Sequence, residues 1–150
     1  MPQLSKRVDT FTDSVIRRMT RISDAKPGSI NLSQGFPDFD PPQALLDALA
    51  AMASGGEQHQ YSITFGSENL RKCIAEKYSP IFGYEIDPET EIVVTCGSTE
   101  AMMAAMMTVC NPGDKVIVFS PFYENYGADA ILSGADPIYV PLKPPAFGFD

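Results

Sequence analysis

The sequence predicts an α/β domain with parallel strands, preceded by a helical arm. Three observations carry this. From residue 92 onward, short β-branched runs alternate with helical segments, the pattern of strands joined by crossover helices. The strand runs are continuously apolar rather than alternating, which suits strands covered on both faces. Near the N-terminus, Val8, Phe11, Val15, Met19 and Ile22 recur at helical spacing among charged residues, as in an amphipathic arm that packs on something.

The elements follow in order. Residues 30–42 contain Gly35, Pro37, Pro41 and Pro42, so they form an irregular loop. Asp40 before Pro41 reads as a helix start, with Asp40 as cap and Gln43 as a capping-box partner. Leu45, Leu49 and Met52 lie on one face of that helix, and Gly55 and Gly56 end it. A second helix runs from Ser67 to about Ser79 with Leu70, Ile74 and Tyr78 on one face; Pro80 and Gly83 fall beyond it. Asp87-Pro88 marks a turn. Residues 92–95 are a first strand, Glu100 to Val109 an apolar helix, and Asn111-Pro112-Gly113-Asp114 a closing turn. Residues 116–119 form a second strand, Tyr123 to Ser133 a helix ended by Gly134, and residues 137–140 a third strand.

Bulk properties narrow the function. The 150 residues are 44% hydrophobic and 20% charged, ordinary for a globular domain with its own core. A net charge of −8 disfavours nucleic acid as a partner, since a polyanion needs a basic surface. Cys73, Cys96 and Cys110 form no CxxC pair and are odd in number, which argues against a disulfide framework or a metal site. A cytoplasmic setting is expected. No apolar run reaches membrane-spanning length, and Asp9 and Asp13 argue against a transit peptide. No internal repeat or low-complexity tract is visible.

Three segments could carry chemistry. Thr95-Cys96-Gly97-Ser98-Thr99-Glu100-Ala101 joins a strand to a helix. Free N–H groups at a helix start, two hydroxyls and a glycine make an anion site. The plainer reading is a turn with Ser98 or Thr99 as helix cap, and these residues by themselves leave both open. The segment lacks the G-x-G-x-x-G and P-loop patterns. Ser120-Pro121-Phe122-Tyr123-Glu124-Asn125-Tyr126 follows the second strand, on the same sheet edge, where an aromatic ring could stack on a planar ligand or simply pack in the core. Gln60 to Ser67, with Tyr61, is a loop ahead of the second helix. His59 has no clustered partner and reads as a surface residue. Met102, Met103, Met106 and Met107 read as core filling.

In order and spacing, these pieces resemble the start of a fold type I, class I/II aminotransferase. The matching residues are Asn31-Leu32-Ser33-Gln34-Gly35-Phe36-Pro37-Asp38-Phe39, Tyr61 with Gly66 and Leu70-Arg71, Gly97-Ser98-Thr99-Glu100-Ala101, Asn111-Pro112-Gly113-Asp114, and Pro121-Phe122-Tyr123 with Tyr126. The opening loop is most similar to the kynurenine, glutamine and methionine aminotransferase branch. The resemblance implies part of a three-layer αβα large domain with a mainly parallel sheet. Residues 1–42 would be an arm and substrate-side loop belonging to a small domain, and residues 43–150 the first, incomplete part of the cofactor-binding domain.

The same resemblance implies roles. The cofactor is pyridoxal 5'-phosphate, with amino acids and 2-oxo acids as substrates, a homodimer as the assembly, and neither nucleic acid nor membrane as partner. Gly97, Ser98 and Thr99 would hold the cofactor phosphate and Tyr123 would stack on its ring. Tyr61 would reach the phosphate of the neighbouring subunit, and Gly35 and Phe36 would lie beside the substrate. The family's lysine, which carries the cofactor and moves the substrate's α-proton, has no match among lysines 6, 26, 72, 77, 115 and 143. A chain of these residues alone is therefore expected to be inactive. In the family's sheet, residues 92–95 would not pair with 116–119, so open sheet edges and exposed apolar faces are expected. Two alternatives stay open: a carbon–sulfur β-lyase of the same fold, and a non-enzymatic α/β domain that binds phosphate or a nucleotide.

Overall fold

The computed structural model describes residues 3–10, 13–55 and 59–150. Two compact units emerge, one of residues 1–33 with 95–150 and the other of residues 34–94.

In the first unit, a 3-10 turn spans Lys6–Thr10 and helix α1 spans Val15–Asp24. Ser14 Oγ accepts from the Arg17 N–H at 3.3 Å and caps α1. This cap divides the predicted arm into two pieces; Phe11 lies outside the described residues. Val15, Met19 and Ile22 form an exposed stripe on α1. Asn31 ties the following loop to α1: its Oδ1 accepts from Ser33 N at 2.9 Å, and its Nδ2 donates to Thr20 Oγ1 at 3.3 Å.

Helix α4 (Gly97–Val109), strand β1 (Lys115–Ser120), helix α5 (Asn125–Leu132) and strand β2 (Asp136–Pro141) complete this unit. The second unit contributes α2 (Gln43–Ser54) and α3 (Glu68–Phe82). Strands β1 and β2 pair in parallel, from Lys115 opposite Asp136 to Ser120 opposite Pro141. The parallel sheet and its α5 crossover are as the sequence predicts. The turn at Asn111 to Asp114 starts the pair: Asp136 N donates to Asp114 O at 2.8 Å and Gly113 N to Gly134 O at 2.9 Å. Val118, Ala130 and Ala135 are buried between strand and helix.

The predicted first strand is not observed. Residues 92–95 run extended without a ladder, and Val94 N donates to the loop carbonyl of Phe65 at 3.0 Å. A strand needs a strand partner, and these residues have none among those described. Each of β1 and β2 is paired on one edge among the described residues, and Ile117 is 62% exposed. The methionines of α4 fill no core: Met102, Met103 and Met106 are half-buried and Met107 is exposed.

On α5, Asp129 is 5% exposed and its Oδ2 has no hydrogen-bond partner among the described residues. Burial pushes its carboxyl above the ordinary value of 3.8. Above that value the folded state holds a proton that the unfolded state has released. The contribution of Asp129 to stability is then greatest at low pH and falls as pH rises through the raised value. Asp129→Asn is expected to stabilise the chain at neutral pH, with the gain vanishing in acid. Thermal melts of both proteins between pH 4 and 8 check this, and a gain independent of pH would contradict it.

In the second unit, α2 begins later than predicted. Pro42 is the cap, with Leu45 N donating to its carbonyl at 2.9 Å, and no side chain caps the helix. Pro42 disfavours helical geometry at Pro41, so Asp40 cannot serve as cap. Gln43 bonds forward to Asp47 at 2.8 Å instead of back to Asp40. Gly55 ends α2; Gly56 lies outside the described residues.

Helix α3 is capped by Ser67, as predicted, but it runs through Pro80 to the left-handed Gly83. Pro80 deprives only the Glu76 carbonyl of a donor, and Glu76 is exposed to water. The buried face of α3 is Arg71 and Ala75, with Ser79 half-buried. Of the apolar face that the sequence marks, Ile74 is half-buried, while Leu70 and Tyr78 are exposed.

Candidate functional site

The first candidate is the start of α4. Its cap residue is Cys96, and no side chain bonds the helix's free N–H groups. The helix therefore begins at Gly97 rather than Glu100, and Ser98 and Thr99 lie in its first turn instead of capping it. Gly97 has φ +85°, left-handed geometry that favours glycine, and a Cβ there would meet nothing within 4 Å. Among the described residues no acceptor bonds the N–H groups of Ser98 and Thr99. They stand at the positive end of the helix dipole. Glu100 reaches back to accept the Cys96 N–H, and Thr95 Oγ1 donates to Gly97 O at 3.0 Å.

The second candidate meets the first. Strand β1 ends at Ser120, and the aromatic loop that follows leads to Asn125 at the start of α5. Asn125 Nδ2 donates to Thr99 Oγ1 at 3.0 Å. The two segments that the sequence assigns to one sheet edge are thus joined by a side-chain bond, although among the described residues no strand precedes the first of them. The aromatics divide their labour. Phe122 stacks on Tyr139 with centroids 5.1 Å apart and anchors the loop. Tyr123 meets Tyr126 edge-on at 5.9 Å and remains 50% exposed. A cavity of about 580 Å³ lies beside Tyr123 and Asn125, with Ser14 and Val15 also in its lining.

The remaining candidates belong to the unit of residues 34–94. Tyr61 is fully exposed, at 105%. Phe36 is exposed, and a Cβ on Gly35 would meet nothing within 4 Å. His59 is exposed, 3.0 Å from the Ala53 carbonyl, as a surface residue should be. The loop after Tyr61 is tightly built at its end: Gly66 N donates to Ile63 O at 2.9 Å, and Arg71 Nε donates to Gly66 O at 3.3 Å.

Asn125 and Arg71 are the structural anchors that sequence reasoning missed. Asn125 carried a signal as a polar residue directly after an aromatic loop at the strand's carboxyl end. Arg71 sits on a stripe of small residues, Ser67, Ala75 and Ser79, at four-residue spacing; such a stripe leaves room for one long side chain.

Comparison with known proteins agrees with the resemblance. Residues 27–150 match the model of a family described as aminotransferase class I and II. A probable N-succinyldiaminopimelate aminotransferase of Mycobacterium tuberculosis is 38% identical over 143 residues, 95% of this chain and 36% of that protein. A kynurenine–oxoglutarate transaminase of Dictyostelium discoideum is 36% identical over 139 residues, 93% of this chain and 32% of that protein. A solved Escherichia coli structure, identified as having methionine aminotransferase function, superposes with a TM-score of 0.88 at 35% identity. It covers 99% of this chain and 39% of its own. The chain thus spans about a third of the length of these relatives, 32–39%, in a fold shared with fold type I enzymes. By sequence and by fold, it belongs to the aminotransferase class I and II family.

Proposed function

We propose that this chain forms the phosphate-binding and ring-facing walls of a pyridoxal-phosphate site in an aminotransferase that moves an amino group between an amino acid and a 2-oxo acid. Members of the family use pyridoxal 5'-phosphate. The residues present fit that group. A phosphate dianion needs donors at a positive helix end, and the Ser98 and Thr99 N–H groups are free there beside two hydroxyls. A pyridine ring needs an aromatic face, and Tyr123 offers one at half exposure. The observation that carries the reading is the Asn125–Thr99 bond, which holds the anion-binding turn and the aromatic loop together.

The bound cofactor supplies an electron sink for the charge that develops when the substrate's α-proton leaves. The residues here bind and orient. Gly97, Ser98 and Thr99 hold the phosphate; Asn125 fixes Thr99; Tyr123 sets the plane of the ring. Gly35 and Phe36 border the substrate, and Tyr61 donates to the phosphate of a second subunit in a homodimer. Residues 1–42 would go with the small domain and 43–150 with the large one. Among the described residues no helix is long and apolar enough to cross a membrane. A cytoplasmic enzyme without nucleic-acid or membrane partners remains the proposal.

A full-length protein loaded with cofactor should form a new amino acid from a 2-oxo acid and an amino-acid donor, and residues 1–150 alone should form none. Pyruvate release from a cysteine conjugate without amine transfer would instead favour the β-lyase. Cofactor-independent phosphate binding with neither reaction would favour a binding domain. Turnover by residues 1–150 would refute the expected inactivity.

A further inference from the structure

We propose that Arg71 is a positioning residue for cofactor binding, acting through the loop that carries Tyr61. The inference rests on the role given to Tyr61 above. Arg71 is 1% exposed, yet among the described residues no buried carboxylate neutralises it. Its donors fan out to three points: Nε to Gly66 O at 3.3 Å, Nη1 to Pro88 O, and Nη2 to Glu89 Oε2 at 3.2 Å. Glu89 is itself exposed, at 58%.

Such an arrangement is a poor source of net stability. Burying a guanidinium costs desolvation, and a water-exposed partner returns little of it. What the planar fork does supply is geometry, since its donors leave in fixed directions. Here the fork locks the end of the Tyr61 loop to a second, rigid turn. In that turn Asp87 accepts from Glu89 N at 2.9 Å and from Thr90 Oγ1 at 2.7 Å, and Glu91 N donates to Asp87 O at 3.0 Å.

The loop needs such an anchor. Tyr61 is wholly exposed, five residues before Gly66 in the chain. A side chain that must reach a ligand in another subunit loses conformational freedom when it does so. Fixing the base of its loop lowers that loss. Lysine at position 71 would keep the charge but could not reach three acceptors in one plane. Its effect on Tyr61 should therefore exceed its effect on the fold.

The test uses the full-length protein with pyridoxal 5'-phosphate, comparing wild type, Arg71→Lys, Tyr61→Phe and the double variant. Arg71→Lys is expected to weaken cofactor binding about tenfold, the loss of one good hydrogen bond to a charged group. It is also expected to speed amide exchange over residues 61–66. In the Tyr61→Phe background it should add nothing further to the loss of affinity. Independent, multiplying losses would overturn the proposal, as would unchanged affinity in Arg71→Lys. A wild type that binds no cofactor would overturn the site reading and this proposal together. Unchanged binding in Tyr61→Phe would remove the role of Tyr61, and the proposal with it. Should Arg71→Lys fail to fold, Glu89→Gln replaces it: faster exchange over 61–66 is expected, and unchanged exchange counts against the proposal.

Discussion

Gly66→Ala is expected to destabilise the unit of residues 34–94 by about 2–4 kcal/mol, the sum of backbone strain and overpacking. Two features of Gly66 combine. Its φ is +99°, where an L-residue is strained. A Cβ there would also lie 2.6 Å from both Cβ and Cγ2 of Val94, far inside contact distance. Because Val94 Cβ is one of those atoms, rotating the Val94 side chain gives no relief, and the backbone itself must move. That movement strains the Val94 N–H bond to Phe65 O and the Arg71 bond to Gly66 O. Gly97→Ala is the control: φ is +85° but nothing lies within 4 Å, so about 1 kcal/mol of strain is expected alone. Urea denaturation of the two variants, with amide exchange at Val94 as the local probe, checks the difference. Equal losses at both positions would show that the close approach to Val94 does not matter.

Ser98→Pro is expected to weaken cofactor binding by ten- to a hundredfold, the range for one lost hydrogen bond to a charged group. Proline is tolerated in the first turn of a helix, where the N–H it lacks has no helical partner. The preceding residue is glycine, which accommodates the restriction proline imposes. Helix α4 should therefore survive while one phosphate donor disappears. Ser98→Ala removes the hydroxyl alone, so comparison of the two separates side chain from backbone. Cofactor titration of the full-length variants, with circular dichroism to follow the helix, gives the answer. Equal affinity for wild type and Ser98→Pro would remove the backbone from the phosphate site.

The parallel α/β pattern was legible because it is local. Apolar runs at 116–119 and 137–140, with Gly134 between them, define β1, α5 and β2 almost to the residue. The start of α3 was equally plain from Ser67, and its end was not. Pro80 reads as a stop in sequence, but a proline in the last turn removes one bond, and exposed Glu76 bears that loss. Residues 92–95 have strand composition, yet strand formation depends on a distant partner that composition does not encode. The buried face of α3 was misread for a related reason. Periodicity favours Leu70, Ile74 and Tyr78, whereas hydrogen-bond geometry buries Arg71. At the proposed site, Gly97, Ser98, Thr99 and Tyr123 could be picked out by residue type, although the strand expected before Gly97 does not form. Asn125 and Arg71 carried weaker signals, because their importance lies in what they hold.

The Glu100 carboxylate that accepts the Cys96 N–H bears on the speed of ligand capture. A helix end without any such partner frays, and a ligand arriving there must wait for the turn to form. Here a residue inside the helix already closes the turn, so the proposed phosphate donors at Ser98 and Thr99 would be arrayed in advance. On the proposed reading, encounter rather than a local folding event would set the rate at which an anion is taken up.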